Sequence, residues 1–115
     1  MTDEWEAGTL FELLGDELAR TILALTSVEA LSADALSDRC QSSQPTVYRR
    51  LDELQAYDLL KERTEYDADG NHYKTYECRL EEVCVGVDDG SFTVDLRVRR
   101  NVVDTVDEAD DSERR

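Results

Sequence analysis

Residues 41–54 decide the fold, and they read QSSQPTVYRRLDEL. Short polar side chains stand directly before Pro45, which the first turn of a helix tolerates because its missing N–H has no helical partner there. Val47, Leu51 and Leu54 follow at helical spacing and mark one apolar face. The stretch therefore predicts a helix over about residues 43–57 that begins with a polar turn and packs one stripe on a core.

Three shorter helices are predicted upstream of this stretch. The first runs from Thr9, as its N-cap, to Gly15, and the second follows Asp16, a good N-cap residue. A third begins after Ser32 and covers residues 33–40. The second helix carries an apolar stripe at i, i+4 and i+7, formed by Leu18, Ile22 and Leu25.

Downstream of residue 57 the apolar period changes from 3.6 to 2, which indicates strands. Residues 60–67 and 72–79 alternate in this way, and Asp69-Gly70 between them is a strong signal for a two-residue hairpin loop. Such a loop would set Tyr66 opposite Tyr73 and Thr64 opposite Thr75.

A second hairpin is predicted around Asp89-Gly90, with Val87 opposite Phe92, Val85 opposite Val94 and Val83 opposite Leu96. Its apolar face needs a cover, and we expect it to pack on the N-terminal helices of the same chain or of a partner chain. The predicted fold class is α+β, a winged helix-turn-helix with an additional C-terminal β-hairpin. Residues 1–80 would form the winged helix, residues 81–100 the added hairpin, and residues 101–115 an acidic tail.

The net charge argues at first against a polyanionic ligand. Thirteen basic residues against 28 acidic ones give a formal charge of −15, whereas phosphate binding requires local positive potential. Residues 39–79, however, hold seven basic and eight acidic side chains, a net charge of only −1. The acidic excess and the small number of lysines resemble cytoplasmic proteins of salt-loving archaea. In molar salt, bound cations and a Debye length of about 3 Å would screen the repulsion.

The residues of the predicted helices resemble the ArsR-type winged-helix transcriptional regulators, particularly acidic haloarchaeal ones. The resemblance covers about residues 9–80, and its most specific piece is Ser43–Val47. It implies a transcriptional regulator that binds double-stranded DNA. One recognition helix buries too little surface for specificity, so we expect a homodimer that reads two half-sites, and our leading hypothesis is a repressor that occludes a promoter. The resemblance also implies a dimer interface on the first helix, formed by Trp5, Leu10, Phe11 and Leu14.

Helix geometry predicts which side chains face the DNA. With Val47 at the centre of the core face, Arg49 points about 200° away and Thr46 about 100° to one side. Arg50 lies nearer the core, where its long stem would still carry the guanidinium to a phosphate. Tyr48 is open between a phosphate contact and a packing role. The predicted DNA-contacting residues are Ser42, Ser43, Gln44, Thr46, Tyr48, Arg49 and Arg50, together with Arg63, His72 and Lys74 in the wing, where Asp67 and Asp69 also lie.

Other functions remain open at this point. The same fold could be an acidic protein-interaction module without direct DNA binding. Cys78 and Cys84 would lie opposite each other across a turn centred on Glu81, so a thiol-based redox-sensing regulator is a further alternative. Some relatives sense metals through a Cys-x-Cys pair or terminal Asp/His ligands, but residues 31–34 contain no thiol and His72 is the one histidine. We therefore expect no metal, no cofactor and no enzyme activity, in a cytoplasmic protein without membrane-spanning segments.

Overall fold

The computed structural model describes residues 7–99. Trp5, which the sequence assigns to a dimer interface, and the acidic tail at 101–115 lie outside this range. The elements in chain order are α1 (Ala7–Leu14), α2 (Glu17–Thr26), β1 (Leu31–Ser32), α3 (Ala33–Cys40), α4 (Gln44–Ala56), β2 (Leu60–Tyr66), β3 (His72–Cys78), β4 (Leu80–Asp88) and β5 (Ser91–Val98).

The helix starts follow from side chains that accept hydrogen bonds from the first free backbone amides. Asp16 accepts from the Ala19 amide, Ser32 from the Ala35 amide and Ser43 from the Thr46 amide, so three of the predicted helix starts are confirmed. The predicted N-cap at Thr9 is wrong, because helical conformation already begins at Ala7 and Thr9 lies inside α1.

The core lies where α2, α3 and α4 meet the sheet. Its fully buried members come from the apolar stripes of the three helices and from the segment that leads into β2, and they are Ile22, Leu36, Val47, Leu51, Leu54 and Leu59. The predicted buried face of α4 is therefore confirmed. Burial of side chains of this size supplies roughly 1.5–3 kcal/mol each, which fixes the orientation of α4 on the domain.

The sheet beside this core has three antiparallel strands in the order β1-β3-β2. Strand β1 was not predicted, because a strand of two residues is too short to show an alternation of apolar and polar side chains. Leu31 pairs with Tyr76 and Ser32 with Thr75, so β1 joins the linker after α2 to the wing.

The loop of the first hairpin differs from the prediction by one residue of register. Tyr66 lies opposite His72 rather than Tyr73, and Thr64 lies opposite Lys74 rather than Thr75. The cause is Asp67, whose carboxylate accepts hydrogen bonds from the amides of Asp69 and Asn71, each at 2.9 Å. A five-residue loop over 67–71 replaces the expected two-residue loop, with Gly70 at a φ of 82°.

The second hairpin forms as predicted. Val83 pairs with Leu96, Val85 with Val94 and Val87 with Phe92, around Asp89 and Gly90, whose positive φ angles suit a two-residue turn of type I′. This two-stranded sheet is separate from the first. Its base packs on the core of the same chain through Leu80, Leu96 and Val98.

The architecture of residues 7–99 is thus α+β, a winged helix-turn-helix with an added C-terminal hairpin, as the sequence predicted. Helices α3 and α4 form the helix-turn-helix pair, and strands β2 and β3 form the wing. Within this range no helix has the length and apolarity needed to cross a lipid bilayer.

Candidate nucleic-acid interface

The turn between α3 and α4 is short and held by local hydrogen bonds. Gln41 closes α3 in the left-handed conformation, with a φ of 53°. The Ser42 amide donates to the Ser37 carbonyl at 3.1 Å, and the Ser43 hydroxyl donates to the Thr46 hydroxyl at 2.9 Å. These bonds fix the angle between the two helices and set the start of α4 at the surface.

Arg49 points away from the core, on the exposed face of α4. Among residues 7–99 it makes no ion pair, although seven of the other basic side chains in this range do. It lies in a stretch of 13 residues, 39–51, that is the longest in the chain without an acidic residue. The turn and the first half of α4 therefore carry no carboxylate of their own. Carboxylates from elsewhere pair with Arg39 and Arg50, so Arg49 is the basic side chain of this stretch that has no ion pair among residues 7–99.

Arg50 has a structural role that differs from the prediction of a phosphate contact. Its Nε donates to the Asp16 carboxylate at 2.9 Å and its Nη2 donates to the same carboxylate at 3.4 Å. Nη1 also bonds to Glu53 at 3.2 Å. The guanidinium is half-buried between α4 and the start of α2, so it is committed to holding the two helices together.

The pairing has a second consequence for the exposed face of α4. Glu53 lies four residues after Arg49 and three after Arg50, and both spacings allow an ion pair on a helix. Glu53 pairs with Arg50. Arg49 is therefore left without a carboxylate partner among the described residues.

The Asp16–Arg50 pair makes the stability of the protein depend on pH. The Arg50 guanidinium and the Ala19 amide lower the pKa of Asp16 below its usual value, and Asp16 in turn raises the pKa of Arg50. A carboxyl whose pKa is lowered by folding contributes stability above its unfolded pKa of about 3.9, and this contribution is lost as the pH falls through the lower folded pKa.

We expect Asp16→Asn to reduce the free energy of unfolding by about 1 kcal/mol at neutral pH. Asparagine keeps the N-cap hydrogen bond but removes the charge pair with Arg50. The difference from wild type should shrink as the pH falls below about 4, which urea unfolding at a series of pH values would measure. Asp38→Asn is the matched control, because Asp38 is exposed and has no ion pair within residues 7–99. A constant difference for Asp16→Asn down to acid pH would contradict the assignment.

The polar residues at the start of α4 lie where the sequence placed them, but several are engaged within the protein. Ser43 and Gln44 are exposed, and Ser42 and Thr46 are half-buried. The Gln44 amide donates to the Asp34 carboxylate on α3, which ties the starts of the two helices together. Ser42 donates to the Cys40 carbonyl at 3.4 Å. Their hydroxyls and the amide would have to exchange these partners to bind a ligand.

Tyr48 lies on the side of α4 that faces the wing and is 46% exposed. Its neighbour Tyr76 is buried, and burial raises the pKa of Tyr76 to about 12, with smaller contributions from Glu62, Tyr48 and Asp52. The ring of Tyr48 thus borders a patch that holds two carboxylates. Its phenol is accessible to a ligand.

The wing brings its basic residues together with glutamates. Arg63 pairs with Glu77 at 3.1 Å, and Lys74 pairs with Glu62 at 3.0 Å. His72 is exposed at the wing tip and packs edge-on against Tyr66 across the hairpin, with the ring centroids 4.5 Å apart. Strands β2 and β3 with their loop carry three basic and five acidic residues. The surface of the wing is therefore acidic on balance.

The predicted dimer residues on α1 are only partly accessible. Leu10 is buried, with 3% of its surface exposed, so it is not free to contact a second chain in this conformation. Phe11 and Leu14 are half-buried, and Phe11 packs edge-on against Phe92 of the second hairpin at 6.3 Å between centroids. The largest exposed apolar side chains nearby are on that hairpin, namely Val85, Val87 and Phe92.

The cysteines do not form the arrangement that a redox pair requires. Cys78 is buried opposite Leu60 in the first sheet, whereas Cys84 is exposed opposite Asp95 in the second. The expected turn centred on Glu81 is absent, because Glu81 lies inside β4 (Leu80–Asp88), at a shift of register in its pairing with β5. Burial raises the pKa of Cys78, and a hydrogen bond to Glu82 raises that of Cys84, so neither thiol is activated.

The sequence analysis missed the acidic residues that bind side chains of α4. Asp16 and Glu53 form ion pairs with Arg50, and Asp34 accepts a hydrogen bond from Gln44. The sequence carries no local signal for the contact of Asp16 with Arg50, because the two residues are 34 positions apart. In the part of the chain from 7 to 99, no group of three or more His, Cys, Asp or Glu side chains is arranged to hold a metal ion.

Comparison with known families supports the helix-turn-helix architecture. Residues 14–63 match the model of a family described as a helix-turn-helix domain. The match extends from the end of α1 into β2, and it includes both helices of the pair and the turn between them. Comparison with curated protein sequences found no match.

Proposed function

We propose that the protein is a sequence-specific DNA-binding transcriptional regulator that uses α4 as its recognition helix. The main support for the proposal is the stretch 39–51, which contains no acidic residue and coincides with the turn and the first half of α4. It presents Arg49, which makes no ion pair among residues 7–99. A helix that enters the major groove reads bases with its N-terminal residues, so positive charge is required there rather than over the whole surface. The match to a helix-turn-helix domain also supports a DNA-binding regulator, and it favours a binding protein over an enzyme.

Arg49 is the main base or phosphate contact in this proposal, with Ser43, Gln44, Thr46 and Tyr48 around it. Arg50 acts behind them as a positioning residue, because it fixes α4 to the start of α2. We do not assign phosphate contacts to Arg63 and Lys74, since both already pair with glutamates on an acidic wing. His72 at the wing tip stays a candidate for a contact in the minor groove.

The regulator acts as a homodimer in this proposal, because two recognition helices on a twofold axis read two half-sites about one helical turn apart. The exposed side chains Val85, Val87 and Phe92, next to Phe11, offer an apolar surface for a second copy. An apolar contact suits self-association here, because two chains that each carry a charge of −15 repel each other wherever charged surfaces meet. The bound dimer would act as a repressor that covers a promoter.

The resemblance to acidic haloarchaeal ArsR-type regulators suggests that the protein binds DNA at high salt concentration. Cations held by the acidic surface at high salt would screen the 28 carboxylates while Arg49 makes its contact. The expected salt dependence of binding is therefore weak or reversed, instead of the usual steep loss of affinity as salt is added. A cytoplasmic location follows from the proposed target, duplex DNA.

The wing supports one alternative function. Its basic residues are all neutralised or outnumbered, which would suit an acidic module that binds basic proteins and does not touch DNA. This module would keep the fold but make no use of Arg49.

Selection of duplexes from a random-sequence library separates the two functions. The full chain would be incubated with the library in molar KCl and, in parallel, at low salt. We expect enrichment of an inverted repeat whose half-sites are centred about 10 base pairs apart. The interaction module predicts no enrichment at any salt concentration, and that outcome would overturn the regulator.

A further inference from the structure

An apolar cleft lies between the N-terminal helices and the second hairpin. Its walls are Phe11 and Leu14 of α1, Leu23 of α2, and Leu80, Val83 and Val85 of β4. The cleft has a volume of about 440 Å³. Small-molecule sites are typically concave, mostly apolar and roughly 300–1,000 Å³ in volume, so this cleft has the size and lining of a ligand site.

Arg20 is the one charged side chain among the residues that line the cleft. Its Nη1 donates to the Leu14 carbonyl at 3.1 Å. Within residues 7–99 it makes no ion pair, although it lies close enough to Asp16 to help lower the pKa of that carboxyl. A guanidinium has five N–H donors in a planar fork that matches a carboxylate, so most of its donors remain available. A cation that makes no ion pair among residues 7–99, beside an apolar cleft, is notable in a chain that has more than twice as many acidic as basic residues.

The geometry points to a binding site for a small amphipathic carboxylate in this cleft. The apolar part of the ligand lies against Leu23, Leu80 and Val83, and its carboxylate pairs with Arg20. The charge of Arg20 selects an anion, and the single guanidinium selects one carboxylate rather than a polyanion. This site lies apart from α4, but Phe11 and Val85 of its lining also belong to the apolar surface proposed above for a second copy, so its test follows the less exposed Leu23, Leu80 and Val83.

Titration of the full chain with octanoate tests the site, followed by NMR of the leucine and valine methyl groups. We expect saturable changes in the chemical shifts of the Leu23, Leu80 and Val83 methyls, with a Kd below about 1 mM. Octyltrimethylammonium, which has the same chain and the opposite charge, should bind at least tenfold more weakly. Equal binding of the two probes, or the absence of shifts at these methyls, would overturn the proposal.

Two variants check the charge selection in different ways. Arg20→Gln should weaken octanoate binding at least tenfold, but it also removes the hydrogen bond to the Leu14 carbonyl. Val85→Asp leaves that bond in place and sets a carboxylate at a cleft residue that is 54% exposed, so it should weaken octanoate and strengthen octyltrimethylammonium. Arg97→Gln, on the polar face of the hairpin, should leave both affinities unchanged.

The cleft has two other conceivable occupants, a second copy of the chain and the chain's own terminal segments. Nuclear Overhauser contacts in the ligand-free protein would reveal either of them. Contacts of the Leu23, Leu80 or Val83 methyls with residues outside 7–99, or with a differently labelled copy, would mean that the cleft is filled and would overturn the proposal. Contacts between copies at Val87 and Phe92 alone would show a dimer that leaves the cleft open. An open cleft whose methyls respond to octanoate alone would support it.

Discussion

The Arg49→Glu variant is expected to lose at least about a hundredfold in duplex affinity while it keeps the stability of wild type. One good contact of an arginine with a base edge contributes about 1–3 kcal/mol, and a homodimer makes this contact twice. Arg49 is exposed and has no ion pair within residues 7–99, so its replacement breaks no ion pair in that part of the chain. Fluorescence anisotropy with a selected duplex in molar KCl would measure the affinity.

Arg97→Glu is the control for this prediction, because it changes the net charge by the same amount. Arg97 lies on β5, in the second hairpin, away from α4. At molar salt a charge beyond about 3 Å is screened, so this variant should lose less than about threefold. Equal losses for the two variants would mean that total charge, and not docking of α4, controls the affinity.

Arg49→Lys separates the kinds of contact that Arg49 could make. Lysine keeps the charge but lacks the planar fork that binds two acceptors of a guanine at once. A loss for the selected site together with unchanged affinity for random duplex would identify a base contact. Equal affinity of lysine and arginine for both duplexes would identify a phosphate contact.

The parts of this molecule that the sequence predicts are those in which local chemistry and tertiary structure agree. Helix α4 is predicted to within one residue, because Ser43, Pro45 and the apolar stripe all specify the same start and the same face. The register of β4 and β5 around the turn is predicted because a two-residue Asp-Gly turn suits these strands, in which seven apolar residues alternate along one face.

The register of the first hairpin, which forms the wing, was predicted wrongly from the same kind of turn signal. Its Asp69-Gly70 signal is the same, but Asp67 captures the amides of Asp69 and Asn71 and widens the loop. The strands then shift by one residue, so Arg63 pairs with Thr75 and reaches Glu77, and Lys74 pairs with Thr64 and reaches Glu62. One side-chain hydrogen-bond pattern thus brings two residues that were predicted to contact phosphate next to glutamates.

The role of Arg50 also differs from the prediction, because Arg50 pairs with a residue that is distant in the sequence. The periodicity of α4 places Arg50 at the edge of the core face, and that position is correct. The sequence gives no indication that the start of α2 would lie beside it and supply Asp16. A contact between residues far apart in the chain depends on how the helices cross, which local patterns do not encode.

Leu51→Ala is expected to have the largest effect on stability, because Leu51 is fully buried in the middle of α4. Leucine-to-alanine changes at such positions cost about 2–5 kcal/mol, since they remove apolar contact and leave a cavity. Domains of this size have roughly 5–15 kcal/mol of total stability, so a large share would be lost. Urea unfolding of the variant and of wild type in molar KCl would measure the difference.

Val28→Ala is the control, because Val28 is 83% exposed and its truncation should stay within about 0.5 kcal/mol of wild type. Duplex binding should distinguish Leu51→Ala from the Arg49 variants. Leu51→Ala lowers the folded fraction, so its apparent affinity should recover as added KCl screens the self-repulsion of the chain, whereas Arg49→Glu should stay weak at every salt concentration. If Leu51→Ala were no less stable than Val28→Ala, α4 would not be docked through this stripe, and the outward direction of Arg49 would lose its structural basis.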